Sequence, residues 1–235
     1  VKKIKRSSDL ILCLFPFEVD FYKRHNQKAV FVGHPLAEKL TPRKNHKLSK
    51  EILLMPGSRE GEVKRLLPEM LIAAAVMLEQ DNSLVFHLAL ANEDLLDWSK
   101  KLIGDQKIGI SIDKSHKRMQ SADLVLVASG TAALELALVG VPMVVIYKLS
   151  TLSYFIASRL VKSQYISLPN VIANKSLVPE LIQDDANGDN IAKHAMDIIR
   201  SDNTELIAQF GQIHQSLSLN ASEESAKLIL EFIHE

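Results

Sequence analysis

The chain has a single cysteine among its 235 residues, Cys13, which lies in the apolar run LILCLF. One cysteine excludes an internal disulfide and any metal site built from several cysteines, and Cys13 is predicted to fill the core. The chain also lacks an excess of either charge, because 28 Lys and Arg residues balance 28 Asp and Glu residues. A global basic field for nucleic acid is therefore excluded, and any anion site must be local.

Long apolar stretches and a targeting signal are missing as well. No window approaches the roughly 18 to 20 consecutive apolar residues of a membrane-spanning helix. The first ten residues, VKKIKRSSDL, lack the apolar centre of a signal peptide. Together with the lone cysteine, these absences predict a protein of the cytoplasm.

Most of the sequence consists of short apolar runs that alternate with helical patterns. The run EILLM precedes a predicted helix over residues 62–80, with Pro68 opening or kinking its longer part. Two helices are predicted after Asn190. Such alternation at this spacing indicates βαβ units and a doubly wound parallel sheet of the α/β class. The predicted strands are DLILCLF, AVFV, EILLM, SLVFHLAL, KIGISI, DLVLVA and PMVVIY.

The stretch MPGSREGEV forms the first strand-to-helix turn with unusual chemistry. In a parallel sheet, ligands bind beyond the carboxyl ends of the strands, where such turns lie. Gly57 permits close approach of the backbone, Ser58 is a good N-cap or hydroxyl donor, and Arg59 offers a planar fork suited to phosphate. An ordinary loop with a solvated arginine is the alternative, because neither GxGxxG nor GxxxxGK[ST] occurs here.

The second such turn is Ser129-Gly130-Thr131, between DLVLVA and AALELALV. It places free backbone N–H groups and two hydroxyls at a helix N-terminus, where phosphate is stabilised. Glu135 follows Thr131 by four residues and returns to nearly the same helix face, one turn deeper. This spacing suits a nucleoside diphosphate whose ribose folds back onto the helix. The alternative is a surface carboxylate on a poorly amphipathic helix.

Six motifs follow one another along the chain: FVGHPL, LLMPGSREGEV, ASGTAALELAL, PMVVIYK, RLVKSQYISLPNVIA and VPELIQ. In this order and at these intervals they closely resemble the lipid-A-disaccharide synthase family, whose members are inverting glycosyltransferases of the GT-B fold. The resemblance covers essentially the whole chain. It implies transfer of a diacylated glucosamine from UDP-2,3-diacylglucosamine to 2,3-diacylglucosamine 1-phosphate (lipid X), which makes the lipid A precursor of Gram-negative envelopes and releases UDP.

The resemblance also implies roles for individual residues. Arg59 would stabilise the leaving diphosphate together with the helix start at residues 129–131, so that neither a metal nor a cofactor is expected. Glu135 would accept hydrogen bonds from the ribose hydroxyls. Asn170 in SLPN, expected to follow a strand and face the cleft, would lie near the sugar or diphosphate. Glu62, Glu180 and Gln183 also match the family pattern, and a role as caps or supporting partners explains them as well as contact with the ligand does. The implied UDP-sugar site consists of Gly57, Ser58, Arg59, Ser129, Gly130, Thr131, Glu135 and Asn170.

The domain organisation follows from the same resemblance. Residues 1–35 are expected to be the remnant of an N-terminal acceptor domain that would carry the general base, because the chain starts within a βα unit. Residues 36–215 would form the Rossmann-like UDP-sugar domain. Residues 216–235 would form a helix that crosses back to the N-terminal domain. That helix has an apolar stripe, which would be exposed or pair with a second copy in a homodimer: Ala226, Ile229, Leu230 and Ile233. The chain alone is expected to lack transferase activity.

Several residues allow two interpretations. His34 in GHP suits a structural or hinge role better than that of a base. Tyr147 and Lys148 end a strand and would either reach the cleft or stay solvated. The stretch 149–165, with Arg159 and Lys162, would pack on the rest of the protein or contact lipid. The acylated substrates of the family imply an enzyme that is peripheral to the inner membrane. A UDP-binding module without turnover and another GT-B enzyme, such as a UDP-GlcNAc epimerase, are the alternative functions.

Overall fold

The computed structural model describes residues 2–44, 49–112, 115–149 and 164–234. Most of the stretch predicted to meet lipid or protein, including Arg159 and Lys162, lies outside the described residues. Among the described helices, none combines the length and the apolar character that crossing a bilayer requires.

Six parallel strands form the main sheet. In chain order they are β3 (Glu51–Met55), β4 (Val85–Leu90), β5 (Ile108–Ile112), β6 (Leu124–Ala128), β7 (Met143–Tyr147) and β8 (Glu180–Ile182). They lie in the order β5-β4-β3-β6-β7-β8, with Met55 of β3 paired to Val127 of β6. The chain builds outward from β3 and then returns to its other side at β6. The topological switch point, where doubly wound sheets bind ligands, therefore lies between β3 and β6.

Helices connect the strands and cover both faces of the sheet. They are α1 (Lys2–Ser7), α2 (Pro16–Lys23), α3 (Pro35–Lys39), α4 (Glu60–Gln80), α5 (Leu96–Ile103), α6 (Ser115–Ser121), α7 (Thr131–Val139), α8 (Leu168–Ala173), α9 (Gly188–Arg200), α10 (Thr204–Leu217) and α11 (Ala221–His234), with a 3-10 turn at Gln183–Asp185. Helix α4 starts two residues before the predicted helix and includes Pro68. This architecture confirms the predicted doubly wound α/β class.

Two apolar cores lie on opposite faces of the sheet, and β3 contributes to both. Ile52 and Leu54 belong to the core shared with α4 and α9, whereas Leu53 between them belongs to the core shared with α7 and α10. Successive side chains of a strand point to opposite faces, which explains the alternation. All three leucine and isoleucine side chains are fully buried. The strands can therefore read as continuous apolar runs, as expected for a sheet covered on both sides.

A second, two-stranded sheet forms a smaller unit near the start of the chain. Strands β1 (Ile11–Cys13) and β2 (Ala29–Phe31) pair in parallel, with α2 between them in sequence. The predicted strand–helix–strand pattern is therefore confirmed, although β1 is shorter than the run DLILCLF. Cys13 is 2% exposed, which confirms its prediction as a core residue. Helix α11 reaches this unit, because the ammonium group of Lys28 lies 5.1 Å from the ring centroid of Phe232.

The C-terminal part holds three helices, where the sequence pattern predicted two. The additional helix is α10, which buries Phe210, Ile213 and Leu217 against the core that contains α7. These three residues have the helical spacing of three and four, so the signal was present in the sequence. In α11 the predicted apolar stripe is exposed, with Ile229 46%, Leu230 58% and Ile233 70% accessible.

Candidate functional site

Both predicted turns lie at the switch point and open onto one cavity of about 420 Å³. The first turn joins β3 to α4, and the second joins β6 to α7. Every residue of the predicted donor site except Asn170 lines this cavity, and Glu62 joins them. The lining residues are Met55, Gly57, Ser58, Arg59, Glu62, Ala89, Leu90, Ala91, Val127, Ala128, Ser129, Gly130, Thr131, Ala132 and Glu135.

Glu62 organises the first turn. One of its carboxylate oxygens accepts a hydrogen bond from the backbone N–H of Arg59 at 3.4 Å, and the other lies 2.9 Å from Nη1 of Arg59. The N-cap position of α4 is thus Arg59 rather than Ser58. Gly57 has φ +108, and a Cβ at this position would lie 2.7 Å from Oε2 of Glu62. Glycine therefore allows the close packing that holds the Arg59 guanidinium, 83% exposed, beside the cavity.

The second turn presents an uncapped helix start. The backbone N–H of Ser129 donates to the carbonyl of Ile146 at 2.9 Å, and the Ser129 hydroxyl donates to the carbonyl of Ile166 at 3.4 Å. Gly130 is the N-cap of α7, and it offers no side chain to bond the first N–H groups of the helix. A Cβ on Gly130 would meet nothing within 4 Å, so the space above the helix start is open. These N–H groups can meet an anion in the cavity.

Glu135 lies one turn deeper in α7 and lines the same cavity. Its neighbours Leu134 and Leu136 are fully buried, whereas Glu135 is half-buried. Its carboxylate therefore belongs to the cavity wall rather than to an outer, solvated face of the helix.

Charge at the cavity comes from side chains and from helix ends. Arg59 contributes one positive charge, and Glu62 and Glu135 contribute two negative charges. The N-termini of α4 and α7 both adjoin the cavity, and each carries roughly half a positive elementary charge. A diphosphate would therefore meet one guanidinium and two helix ends. Among the described residues, no group of three His, Cys, Asp or Glu side chains is placed to hold a metal ion.

Asn170 is placed differently from its prediction. It lies inside α8 rather than after a strand, and its side chain is fully buried instead of facing the cleft. Its amide nitrogen donates to the carbonyl of Val178 at 2.9 Å and to Glu180 at 2.8 Å. Its amide oxygen accepts from the backbone N–H groups of Leu177 and Val178 at 2.8 and 3.0 Å. These four bonds use the full capacity of the amide, and they join α8 to the approach of β8.

Glu180 and Gln183 lie outside the cavity and bind backbone. Glu180 accepts hydrogen bonds from the N–H groups of Ile166 and Ser167, each at 2.9 Å. Gln183 accepts from the N–H of Leu149 at 2.6 Å and donates to the carbonyl of the same residue at 3.4 Å. Both side chains therefore hold chain segments in place, which agrees with the interpretation of supporting partners.

His34 and Lys148 also have partners within the fold. Nδ1 of His34 accepts a hydrogen bond from the N–H of Leu36 at 3.1 Å, so that His34 is the N-cap of α3. Burial lowers the pKa of His34, against an opposing effect of Glu18, and this favours the neutral ring that the cap requires. Lys148 forms an ion pair with Glu69 at 2.8 Å rather than reaching the cavity.

The sequence pattern does not predict one wall of the cavity. Ala89, Leu90 and Ala91, at the carboxyl end of β4, line the cavity beside the first turn. Because β4 neighbours β3 in the parallel sheet, its end meets the same edge. These apolar side chains have no functional group that would mark them as part of a site. Their place at the cavity follows only from the order of the strands in the sheet.

Comparison with known proteins agrees with this architecture. The lipid-A-disaccharide synthase of Colwellia psychrerythraea is 37% identical to the chain, over 98% of the chain and 62% of the relative. That of Hahella chejuensis is 41% identical, over 99% of the chain and 63% of the relative. The chain therefore spans less than two thirds of the length of these relatives.

A solved structure shows the same fold at low sequence identity. The UDP-GlcNAc 2-epimerase from Neisseria meningitidis bound to UDP-GlcNAc superposes with a TM-score of 0.68 and 13% identity, over 98% of this chain and 63% of that one. At this identity the likeness concerns the fold alone. The family model described as lipid-A-disaccharide synthetase matches residues 1–232. Since the quoted motifs, the sheet topology and this match agree, the chain belongs to the lipid-A-disaccharide synthase family.

Proposed function

We propose that the chain forms the donor-binding portion of a lipid-A-disaccharide synthase. In the proposed reaction the sugar of UDP-2,3-diacylglucosamine is transferred to lipid X with inversion, and UDP leaves. No cofactor takes part. We further propose the division into residues 1–35, 36–215 and 216–235, with the middle part holding the donor.

The cavity at the switch point is the observation that carries this proposal. Its volume of about 420 Å³ lies within the range of small-molecule sites. The diphosphate is assigned to the helix start at residues 129–131 and to Arg59. The ribose hydroxyls are assigned to Glu135, one turn of α7 below. This arrangement matches the order of phosphate and ribose along a nucleotide.

The proposed chemistry places charge stabilisation where the leaving group forms. As the bond between the sugar and the diphosphate breaks, negative charge develops on the departing phosphate oxygen. The Arg59 guanidinium and the N-terminus of α7 stabilise that charge without reorganisation, because the fold already orients them. Inversion also needs a base on the opposite side of the sugar. We assign that base to a group outside the cavity, since Glu62 pairs with Arg59 and Glu135 is assigned to ribose.

The acylated substrates place the enzyme at the cytoplasmic surface of the inner membrane in this proposal. A UDP-binding module without turnover remains the second candidate, because the cavity accounts for nucleotide binding by itself. A transfer assay with radiolabelled donor and lipid X tests the chain alone, which we expect to bind the nucleotide without forming disaccharide. Disaccharide formation by the chain alone would overturn this expectation and exclude the binding module.

Calorimetric titration with UDP tests the nucleotide site. The wild-type chain is expected to bind UDP, and Arg59→Ala is expected to weaken binding about ten-fold or more, as for the loss of a charge-assisted hydrogen bond. Arg24→Ala is the matched control, because Arg24 is an exposed arginine whose side chain donates to the backbone carbonyl of Asp20, and it does not line the cavity. Equal affinity of the Arg59 variant and the control would refute the site assignment.

A further inference from the structure

Glu180, the first residue of β8, receives four hydrogen bonds from one short segment. Oε2 accepts from the N–H of Ile166 at 2.9 Å. Oε1 accepts from the N–H and the hydroxyl of Ser167 at 2.9 and 2.6 Å, and from the amide of Asn170 at 2.8 Å. Ser167 and Asn170 are fully buried. The carboxylate thus satisfies four donors, two of them backbone groups.

This cluster connects to the cavity through Ile166. The N–H of Ile166 is held by Glu180, and its carbonyl accepts the hydroxyl of Ser129 at 3.4 Å. Ser129 lines the cavity and immediately precedes Gly130, the N-cap of α7. A short path of hydrogen bonds therefore runs from Glu180 through the backbone of Ile166 to the turn that adjoins the helix start.

We propose that Glu180 is a positioning residue for the donor site, which it serves by fixing the Ile166 carbonyl that orients the Ser129 hydroxyl. The inference rests on the proposed nucleotide site and adds a residue that does not touch the ligand. By holding Ile166, Glu180 keeps the Ser129 side chain and the adjoining helix start in one arrangement before the diphosphate arrives. The anion then meets donors that need no rearrangement.

The chemistry of the cluster requires a carboxylate. All four partners are donors, whereas a glutamine would offer one acceptor oxygen and an NH2 group. Whichever way the amide turned, its NH2 group would face at least one N–H or O–H donor. In Glu180→Gln, the N–H of Ile166 or of Ser167 is therefore expected to lose its hydrogen bond, although glutamine and glutamate have nearly the same size. Buried donors without partners are costly, so this variant is also expected to be less stable.

The control must lose a supporting carboxylate far from the cavity. Glu51 is suitable, because its side chain is 14% exposed and accepts from Arg118 at 3.0 Å and from the Ser121 hydroxyl at 3.2 Å. It lies at the start of β3, the end of the strand opposite the cavity. Glu51→Gln is expected to lower the melting temperature without changing the affinity for UDP.

The test is a double-mutant cycle measured by UDP calorimetry at a temperature where all variants are folded. Glu180→Gln and Ser129→Ala are each expected to weaken UDP binding, the first by about ten-fold, as for the loss of a supporting residue behind a ligand. In the Ser129→Ala background, Glu180→Gln is expected to have little further effect, because its action passes through Ser129. If the role of Glu180 is purely structural, Glu180→Gln leaves the affinity for UDP unchanged, or the losses of affinity in the two single variants add up in the double variant.

Ser167→Ala is the milder variant if Glu180→Gln does not fold. This variant keeps the Glu180 carboxylate but removes the Ser167 hydroxyl, one of the donors that hold it in place. Ser167→Ala is therefore also expected to weaken UDP binding. If the wild-type chain binds UDP while these variants bind equally well, the positioning role of Glu180 is wrong and the nucleotide site stands. If the wild-type chain does not bind UDP, both proposals are overturned.

Discussion

Glu135 is the sole charged residue of α7 and sits between two leucines that are fully buried. Its position on the cavity wall, one turn below the uncapped helix start, is the geometry expected for a group that binds ribose hydroxyls. In the proposed site, this residue would bind the nucleotide's sugar on the same helix that would hold its phosphates.

A comparison of UDP with 2′-deoxy-UDP tests this assignment at the residue scale. The wild-type chain is expected to bind UDP more tightly, and Glu135→Gln is expected to weaken UDP binding about ten-fold, the cost of a lost hydrogen bond to a charged group. The variant should also lose most of its preference for UDP over the deoxy compound. Glu79→Gln, an exposed change on α4, is the control. A preference that survives in the Glu135 variant would contradict the ribose assignment.

At the scale of elements, α4 and α7 supply the positive ends that meet at the cavity. Their N-termini are built differently. Helix α4 begins with a carboxylate from its own first turn, Glu62, folded back onto Arg59. Helix α7 begins with glycine and leaves its first N–H groups without a side-chain cap in the described structure. The first arrangement orients a cation, and the second leaves backbone donors open for an anion.

Gly57→Ala tests the packing of the first turn. A Cβ here meets the Glu62 carboxylate, and the backbone has φ +108, so the variant should lose at least about 1 kcal/mol of stability and also weaken UDP binding. Gly104→Ala is the matched control, because Gly104 has φ +58 but nothing within 4 Å of the added Cβ. Thermal melts and UDP calorimetry should show lost stability in both variants and lost affinity only in the first. Unchanged UDP affinity in Gly57→Ala would rule out a role for this turn.

At the scale of the whole molecule, α11 leaves an apolar stripe uncovered in the described structure. Because Leu230 and Ile233 are 58% and 70% exposed, the chain is expected to self-associate through this face. Sedimentation velocity at increasing concentration should show dimers of the wild type and monomers of the Leu230→Lys, Ile233→Lys double variant. Val85→Lys, which changes another residue with 55% exposure, should leave the dimer intact. A monomeric wild-type chain at all concentrations would disprove this expectation.

The sequence predicted the fold class well because most of the strands are continuous apolar runs separated by clear turns. It also predicted the two turns of the cavity, since Gly57 and Ser129-Gly130-Thr131 carry their chemistry in adjacent residues. It failed for Asn170, whose motif gives no sign that α8 buries the side chain against residues 177–180. The wall at Ala89–Ala91 and the link from Glu180 to Ser129 depend on strand order and on contacts distant in sequence, which a linear pattern does not encode.

A crystal structure of the chain with bound UDP is the most direct test of the proposed donor site. We expect the diphosphate at the N-terminus of α7, within hydrogen-bond distance of the Arg59 guanidinium and the backbone N–H groups that follow Gly130. We also expect a ribose hydroxyl within hydrogen-bond distance of the Glu135 carboxylate. UDP bound away from the switch point between β3 and β6, or in the cavity with its ribose turned away from Glu135, would refute the proposed site.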